Sequence, residues 1–101
     1  MKESDIQKSI LSYLKANGHL VWRTHTGPLL GYGGRRLTNP LKGYPDISGV
    51  HRSKPGHLFV IEVKSEKGVM SQEQISWRES LIKAGATHIV ARSLEDVIKQ
   101  L

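Results

Sequence analysis

The fold is decided by residues 58–64, which have the sequence LFVIEVK. The first four residues are apolar, and their β-branched and aromatic side chains favour a strand buried on both faces. Side chains alternate along a strand, so Glu62 and Lys64 point to one side and Val63 to the other. Burying a charge is costly unless it is paired or binds a metal. The carboxylate at the end of this core strand therefore needs a chemical explanation.

The composition is that of a basic chain of 101 residues without cysteine. Disulfides and thiolate metal sites are thereby excluded, and no apolar run approaches the roughly 20 residues that span a bilayer. We therefore expect one soluble, intracellular domain with no membrane partner.

The net charge of +6 is unevenly distributed, because Asp46 is the sole acid between Asp5 and Glu62. A field of one sign over half the chain favours a polyanionic partner, most simply nucleic acid. The alternative is a basic surface that only keeps the protein soluble.

The hydrophobic periodicity predicts an α/β fold in the order αβββαβα. Pro55-Gly56 joins two strands into an antiparallel hairpin, and a helical crossover places the last strand parallel to the central one. Trp22 and Trp77 are expected to be core anchors. Helices are predicted over about residues 3–16, between Ser71 and Gly85, and after Ser93; strands are predicted over about 19–24, 43–50, 58–64 and 87–91.

Residues 25–44 form the longest irregular stretch, with five glycines and two prolines. Such loops are usually functional or disordered, and we expect a flexible basic arm that contacts phosphates. The glycines match neither a P-loop nor a dinucleotide fingerprint, so no nucleotide cofactor is expected. The residues predicted to contact nucleic acid are Arg23, Arg35, Arg36, Lys42 and Lys67.

The predicted hairpin brings Asp46, at the start of one strand, beside Glu62 and Lys64, at the end of the next. Two neighbouring carboxylates repel each other, and oxygen ligands favour Mg²⁺ or Mn²⁺ as the ion that relieves the repulsion. Lys64 could orient or deprotonate a water, or neutralise charge that develops on a phosphate. The pattern indicates metal-assisted phosphodiester hydrolysis. The alternative is a structural Glu62–Lys64 ion pair with Asp46 as a turn residue.

The spacing of Pro45-Asp46 and Glu62-Val63-Lys64, with the acids sixteen positions apart, resembles the PD-(D/E)XK nuclease superfamily. Within it, the chain is similar to the VRR-NUC (virus-type replication-repair nuclease) family. The resemblance extends from Glu3, which heads the first helix, through Gly43-Tyr44, Ser71-Gln72-Glu73-Gln74 and Trp77 to Ser93-Leu94-Glu95-Asp96.

The resemblance implies a restriction-endonuclease-like core with a mixed sheet of about four strands. It also implies that Asp46 and Glu62 are metal ligands together with the Val63 carbonyl, and that Lys64 is the catalytic lysine.

Two further residues acquire predicted roles from the resemblance. Gln74 would reach back to the site, although a capping box with Ser71 explains it equally well. Glu3 would be a ligand, direct or through water, although an acid in the first turn of a helix is also favoured by the helix dipole.

The implied function is that of a Mg²⁺- or Mn²⁺-dependent DNA endonuclease. Small members of the family resemble junction-resolving nucleases and tend to form homodimers, so branched DNA and a second copy are the expected partners. The alternative is a basic nucleic-acid-binding module that keeps the fold without cleavage. RNA is a third option, although no RNA-recognition signature is present.

Overall fold

The computed structural model of the chain describes residues 2–101. Its main feature is a four-stranded mixed sheet with the order β1-β4-β5-β6, and a separate two-stranded sheet pairs β2 with β3. The helices are α1 (Glu3–Ala16), α2 (Gln72–Lys83) and α3 (Leu94–Ile98), and the strands are β1 (Leu20–Arg23), β2 (Leu29–Leu30), β3 (Arg36–Leu37), β4 (Ile47–Val50), β5 (Leu58–Val63) and β6 (Thr87–Ala91).

The predicted hairpin and crossover are both confirmed. β4 and β5 pair antiparallel with Ile47 opposite Ile61, and β5 and β6 pair parallel with Glu62 opposite Val90. β5 is therefore central, and its side chains are buried on both faces of the sheet, which agrees with its continuous apolar run.

One face of the sheet carries the hydrophobic core. Ile6, Ile10 and Leu14 of α1 recur at helical spacing and are buried against this face, where Phe59 and Ile61 are fully buried. Val97 of α3 joins the same cluster. The residues that alternate with Phe59, Ile61 and Val63 therefore face the other way, and Glu62 is among them.

The opposite face is only partly covered, by α2. No residue of α2 is buried, so the predicted apolar face of this helix packs less deeply than its sequence indicates. Trp77 of α2 is half-buried, and its indole nitrogen donates to the Lys42 carbonyl at 3.0 Å. Trp22, expected in the core, is 43% exposed, so that prediction is wrong. It lies on edge strand β1, which pairs only with β4, and by alternation it faces away from its buried neighbour Val21.

The basic segment 25–44 is not wholly irregular, and it adds two short strands to the predicted order αβββαβα, which the main elements follow. It contains the short β2–β3 hairpin, with Leu29 opposite Leu37. Its return to the sheet is held by Asn39, a buried residue whose Nδ2 donates to the carbonyls of His25 and Gly27 at 2.9 and 3.0 Å. Within residues 2–101, no helix is both long and apolar enough to cross a membrane.

Candidate active site

The two predicted acidic ligands are direct neighbours across the sheet. Ile47 pairs with Ile61, and one step further along this antiparallel register Asp46 stands opposite Glu62. The Thr24 amide donates to the Asp46 carbonyl at 3.0 Å, which extends the pairing of β1 with β4 by the same step. Asp46 thus stands between Thr24 and Glu62 at one end of the sheet, as the predicted hairpin requires.

Glu62 is a buried acid with one oxygen left without a donor. Its side chain is only 2% exposed, and its Oε1 accepts a hydrogen bond from Gln74 Nε2 at 3.1 Å. Its Oε2 is buried and has no hydrogen-bond partner among residues 2–101. A buried oxygen without a partner is unfavourable in an isolated protein, and a bound cation would relieve it.

Asp46 is held in place by the backbone of β5. Its Oδ2 accepts a hydrogen bond from the Val63 amide at 2.8 Å. Because the N–H and C=O of one strand residue point to the same side, the Val63 carbonyl lies on the Asp46 side of β5 as well. The predicted ligands Asp46, Glu62 and the Val63 carbonyl are therefore next to each other.

The proximity of the two acids perturbs the ionisation of both. Burial, reinforced by the negative charge of Asp46 beside it, raises the pKa of Glu62 to about 8 from an ordinary value of 4.5. Burial also raises the pKa of Asp46, while the Val63 amide acts in the opposite direction. The positive charge of Lys64 lowers the pKa of both acids, but less than burial raises it. Without a cation the pair therefore favours sharing a proton.

Gln74 combines the two roles that the sequence presents as alternatives. Its backbone amide donates to Ser71 Oγ at 3.2 Å, and its Oε1 accepts from the Ser71 amide at 2.8 Å, which completes the capping box. The remaining amide nitrogen donates to Glu62. The helix cap thus fixes the side-chain amide that orients the carboxylate.

Lys64 and Glu3 border the carboxylate pair, which we define as Asp46 and Glu62. Lys64 is half-buried just beyond β5, on the Glu62 side of the strand by alternation. Glu3 begins α1 and is exposed, and its Oε2 accepts from the Ser65 amide at 3.4 Å. Its negative charge contributes to the raised pKa values of the pair.

The residues predicted to contact nucleic acid are all exposed, but they differ in the hydrogen bonds and ion pairs that they already form. Arg23 donates to Gln7 Oε1 at 2.8 Å and lines a cavity that also includes Asp46. Lys42 forms an ion pair of 3.5 Å with Glu73, so part of its charge is already compensated. Arg35 and Arg36 lie on the β2–β3 hairpin, and Lys67 lies in the loop after β5.

Sequence reasoning missed Arg92, which organises the loop after Lys64. Its Nη1 donates to the carbonyls of Ser65 at 2.6 Å, Glu66 at 3.2 Å and Gly68 at 2.7 Å. No local pattern identifies such a residue, because its partners are backbone atoms that lie 24 to 27 positions away.

Sequence reasoning also missed Ser48, although its position two residues after Asp46 on the same strand face is a usable signal. Ser48 is buried, and its Oγ lies 2.8 Å from the Tyr44 hydroxyl and 3.1 Å from Thr24 Oγ1. This cluster connects the segments on both sides of Asp46.

The oxygen atoms of the site suit a hard divalent cation. In the described part of the chain, no three His, Cys, Asp or Glu side chains form a group that could hold a metal. Mg²⁺, however, typically uses one or two carboxylates and keeps several waters or substrate oxygens. The carboxylate pair, the buried Glu62 Oε2 and the Val63 carbonyl satisfy that smaller requirement.

The structure is thus an α/β domain with two acids facing each other at one end of a mixed sheet. A solved structure described as "VRR_NUC domain" matches this chain with a TM-score of 0.68 and 28% sequence identity, covering 96% of this chain and 90% of that chain. The predicted resemblance to the VRR-NUC family is thereby confirmed, and the chain has the fold of a VRR-NUC nuclease domain. A scan against models of protein families and a search of curated proteins both find no match.

Proposed function

We propose that this domain is a Mg²⁺- or Mn²⁺-dependent DNA endonuclease that prefers branched or structured DNA, such as four-way junctions. The observation that carries the proposal is the carboxylate pair. Asp46 and Glu62 face each other at one end of the sheet, and Glu62 is buried with an unpartnered oxygen. Two adjacent acids with raised pKa values destabilise an isolated fold, so their presence favours a site that binds a cation.

Each residue around the pair has a role that follows from its contacts. Asp46, Glu62 and the Val63 carbonyl would hold the ion, which when bound supplies Lewis-acid polarisation of the scissile phosphate. Gln74 holds one oxygen of Glu62 and leaves the other directed at the site. Lys64 orients the attacking water or takes its proton, and its positive charge offsets the negative charge that develops on the phosphate.

Glu3 occupies the outer edge of the same site. It is exposed and hydrogen bonds to the Ser65 amide, so it reaches the site from α1. We assign it an auxiliary role, as a ligand that acts directly or through a water.

The charge around the site supports DNA as the substrate. Lys42 with Glu73 is the one ion pair within residues 2–101, so Arg23, Arg35 and Arg36 have no acidic partner there. Exposed, uncompensated arginines provide the positive field and the hydrogen-bond donors that phosphate groups require. We expect Ala in place of Arg35 or Arg36 to reduce the slope of log affinity against log salt by about 1 for each arginine that binds a phosphate.

We also propose that two copies of the domain act together as a homodimer. Each chain contributes one carboxylate pair and would cut one strand, whereas a symmetric branched substrate requires two cuts. Two-fold symmetry supplies a second site and doubles the basic surface. Sedimentation of the purified protein should give the mass of a dimer. With a four-way junction added, it should give the mass of one dimer bound to one junction.

The test is cleavage of labelled duplex, single-stranded and four-way-junction DNA, and of one RNA duplex, each with Mg²⁺, Mn²⁺ or EDTA. We expect cleavage of DNA with either metal, strongest on the junction, and none in EDTA. Cleavage in EDTA, or no cleavage of any substrate, would refute the proposal. Binding without cleavage under every condition would support the alternative, a non-catalytic binding module.

A matched pair of variants distinguishes the site from the fold. Glu62→Gln should abolish cleavage while DNA binding survives, because the shape and the hydrogen bond to Gln74 are preserved and only the charge is removed. Glu66→Gln, an exposed acid in the next loop, should leave both unchanged. Equal loss of binding and cleavage in the first variant would indicate a structural role for Glu62.

A further inference from the structure

The tip of the β2–β3 hairpin presents two large side chains that the proposed hydrolysis does not use. Leu30 is 81% exposed, and Tyr32 is fully exposed. They stand at the start of a tight turn in which the Gly31 amide donates to the Arg35 carbonyl at 2.6 Å. We call Leu30 and Tyr32 the hairpin tip.

The turn itself is well defined. Gly33 and Gly34 have φ angles of 72° and 78°, in the left-handed region that glycine adopts without strain. The Gly34 amide donates to the Gly31 carbonyl at 3.2 Å. The two glycines have no side chains that could cover Tyr32. The fold thus holds an aromatic and an aliphatic group in water, which is unfavourable unless they meet a partner.

The positive charge next to the hairpin tip indicates which kind of partner can bind there. Arg35 and Arg36 adjoin the tip and are exposed, and there is no acid between Thr24 and Pro45. A second copy that placed its own hairpin here would bring like charges together. Nucleic acid provides the two complementary surfaces, because its phosphates attract the arginines and its bases stack on aromatic and apolar side chains.

Two adjoining cavities lie between the site and the hairpin. A cavity of about 380 Å³ is lined by Asp46, Arg23 and the segment Thr24–Gly27. A second cavity of about 370 Å³ shares Thr26 and Gly27 with the first and continues to Arg36 and Leu37 at the hairpin. A nucleic-acid backbone held at Asp46 would therefore lead its flanking nucleotides toward the tip.

We propose that Leu30 and Tyr32 form a wedge that stacks against bases exposed at a branch point and so selects branched over continuous DNA. In a continuous duplex both faces of every base pair are stacked, and inserting a side chain requires unstacking at considerable cost. At a branch point some bases lack a neighbour already, so the same insertion is favourable. This inference rests on the proposed function, since it assigns the substrate preference of that site.

The experiment measures insertion without cleavage. The full chain in EDTA is titrated with a four-way junction that carries 2-aminopurine beside the branch point, and with a linear duplex that carries it in the same sequence. We expect 2-aminopurine fluorescence to change at the branch point on binding and to stay constant in the duplex. In a Leu30→Ser/Tyr32→Ser variant, the ratio of junction affinity to duplex affinity should fall about tenfold, as loss of one stacked base predicts.

The control is Ile82→Ser, which removes an exposed apolar side chain from α2 without touching the hairpin. It should keep the wild-type ratio. Because the tip is exposed, its substitution should not unfold the protein, and the cooperative thermal transition of each variant confirms this.

Three results would overturn the inference. The first is an unchanged affinity ratio in the tip variant, and the second is constant fluorescence at the branch point in the wild type. The third is a change in sedimentation from dimer to monomer in the tip variant, which would make the tip a contact between copies. Absence of cleavage with Mg²⁺ and Mn²⁺ would refute the proposed function alone, since the fluorescence readout requires no chemistry.

Discussion

The substitution Glu62→Gln should make the metal-free protein more stable at neutral pH. Glu62 has a pKa of about 8 in the fold and an ordinary value of 4.5, so the folded chain keeps a proton that the unfolded chain releases. Stability therefore falls as pH rises from 4.5 to about 8. The penalty at pH 7 is on the order of 3 kcal/mol, and this is an upper bound because relaxation and water entry reduce it. Glutamine keeps the shape and the Gln74 hydrogen bond and does not ionise.

The assay is urea unfolding in EDTA at about pH 4.5 and about pH 7.5, near the two ends of the window over which Glu62 ionises. We expect the free energy of unfolding of the glutamine variant to exceed that of the wild type at the higher pH by clearly more than at the lower pH. Glu79→Gln, which changes an exposed acid of α2, is the matched control and should unfold like the wild type. If Glu62→Gln destabilises the protein equally at both pH values, ionisation of Glu62 does not destabilise the metal-free fold, and the reasoning for a cation site fails.

Addition of Mn²⁺ should make the wild type more stable than the Glu62→Gln variant. Wild type should gain stability as RT ln(1 + [L]/Kd), whereas the glutamine variant lacks a charged ligand and should gain little. A gain of equal size in both proteins would place the metal elsewhere.

Two predictions concern the sheet around the site. Gly49→Ala should destabilise the fold by about 1–3 kcal/mol in urea unfolding, because the added Cβ would overlap the Phe59 ring and lie 2.8 Å from the Leu20 carbonyl oxygen. A loss below about 0.5 kcal/mol would show that the sheet adapts. His88 has two buried ring nitrogens without partners among residues 2–101, and burial, with the charge of Arg78, lowers its pKa. Stability should therefore fall on acidification below about pH 6.5, where the unfolded chain takes up the proton first. His88→Gln should reduce this acid sensitivity, and an unchanged pH dependence would contradict the assignment.

Much of the fold was predictable because the signals are local. The first helix covers Glu3–Ala16, as its apolar spacing predicts, and the capping box at Ser71 and Gln74 forms. The Asp46–Glu62 pairing follows from a hairpin register, which strand alternation and a short turn determine. In each of these elements, a few consecutive residues are enough to specify the local structure.

The parts that escaped prediction depend on distant contacts. The two-residue strands at Leu29–Leu30 and Arg36–Leu37 are too short to show a period. The exposure of Trp22 follows from the position of β1 at the edge of the sheet, which no local pattern specifies. Arg92 interacts with carbonyl groups of a remote loop, and every residue type provides a carbonyl.

The proposed metal site is tested most directly by calorimetric titration of Mn²⁺ into the protein without DNA, at about pH 7, below the pKa of about 8 of Glu62. We predict one site per chain in the wild type, with protons released on binding because the carboxylate pair shares a proton when metal-free. Asp46→Asn should remove that binding and the proton release. Saturable Mn²⁺ binding that survives Asp46→Asn unchanged, or no binding by the wild type, would contradict the assignment of Asp46 and Glu62 as the metal site.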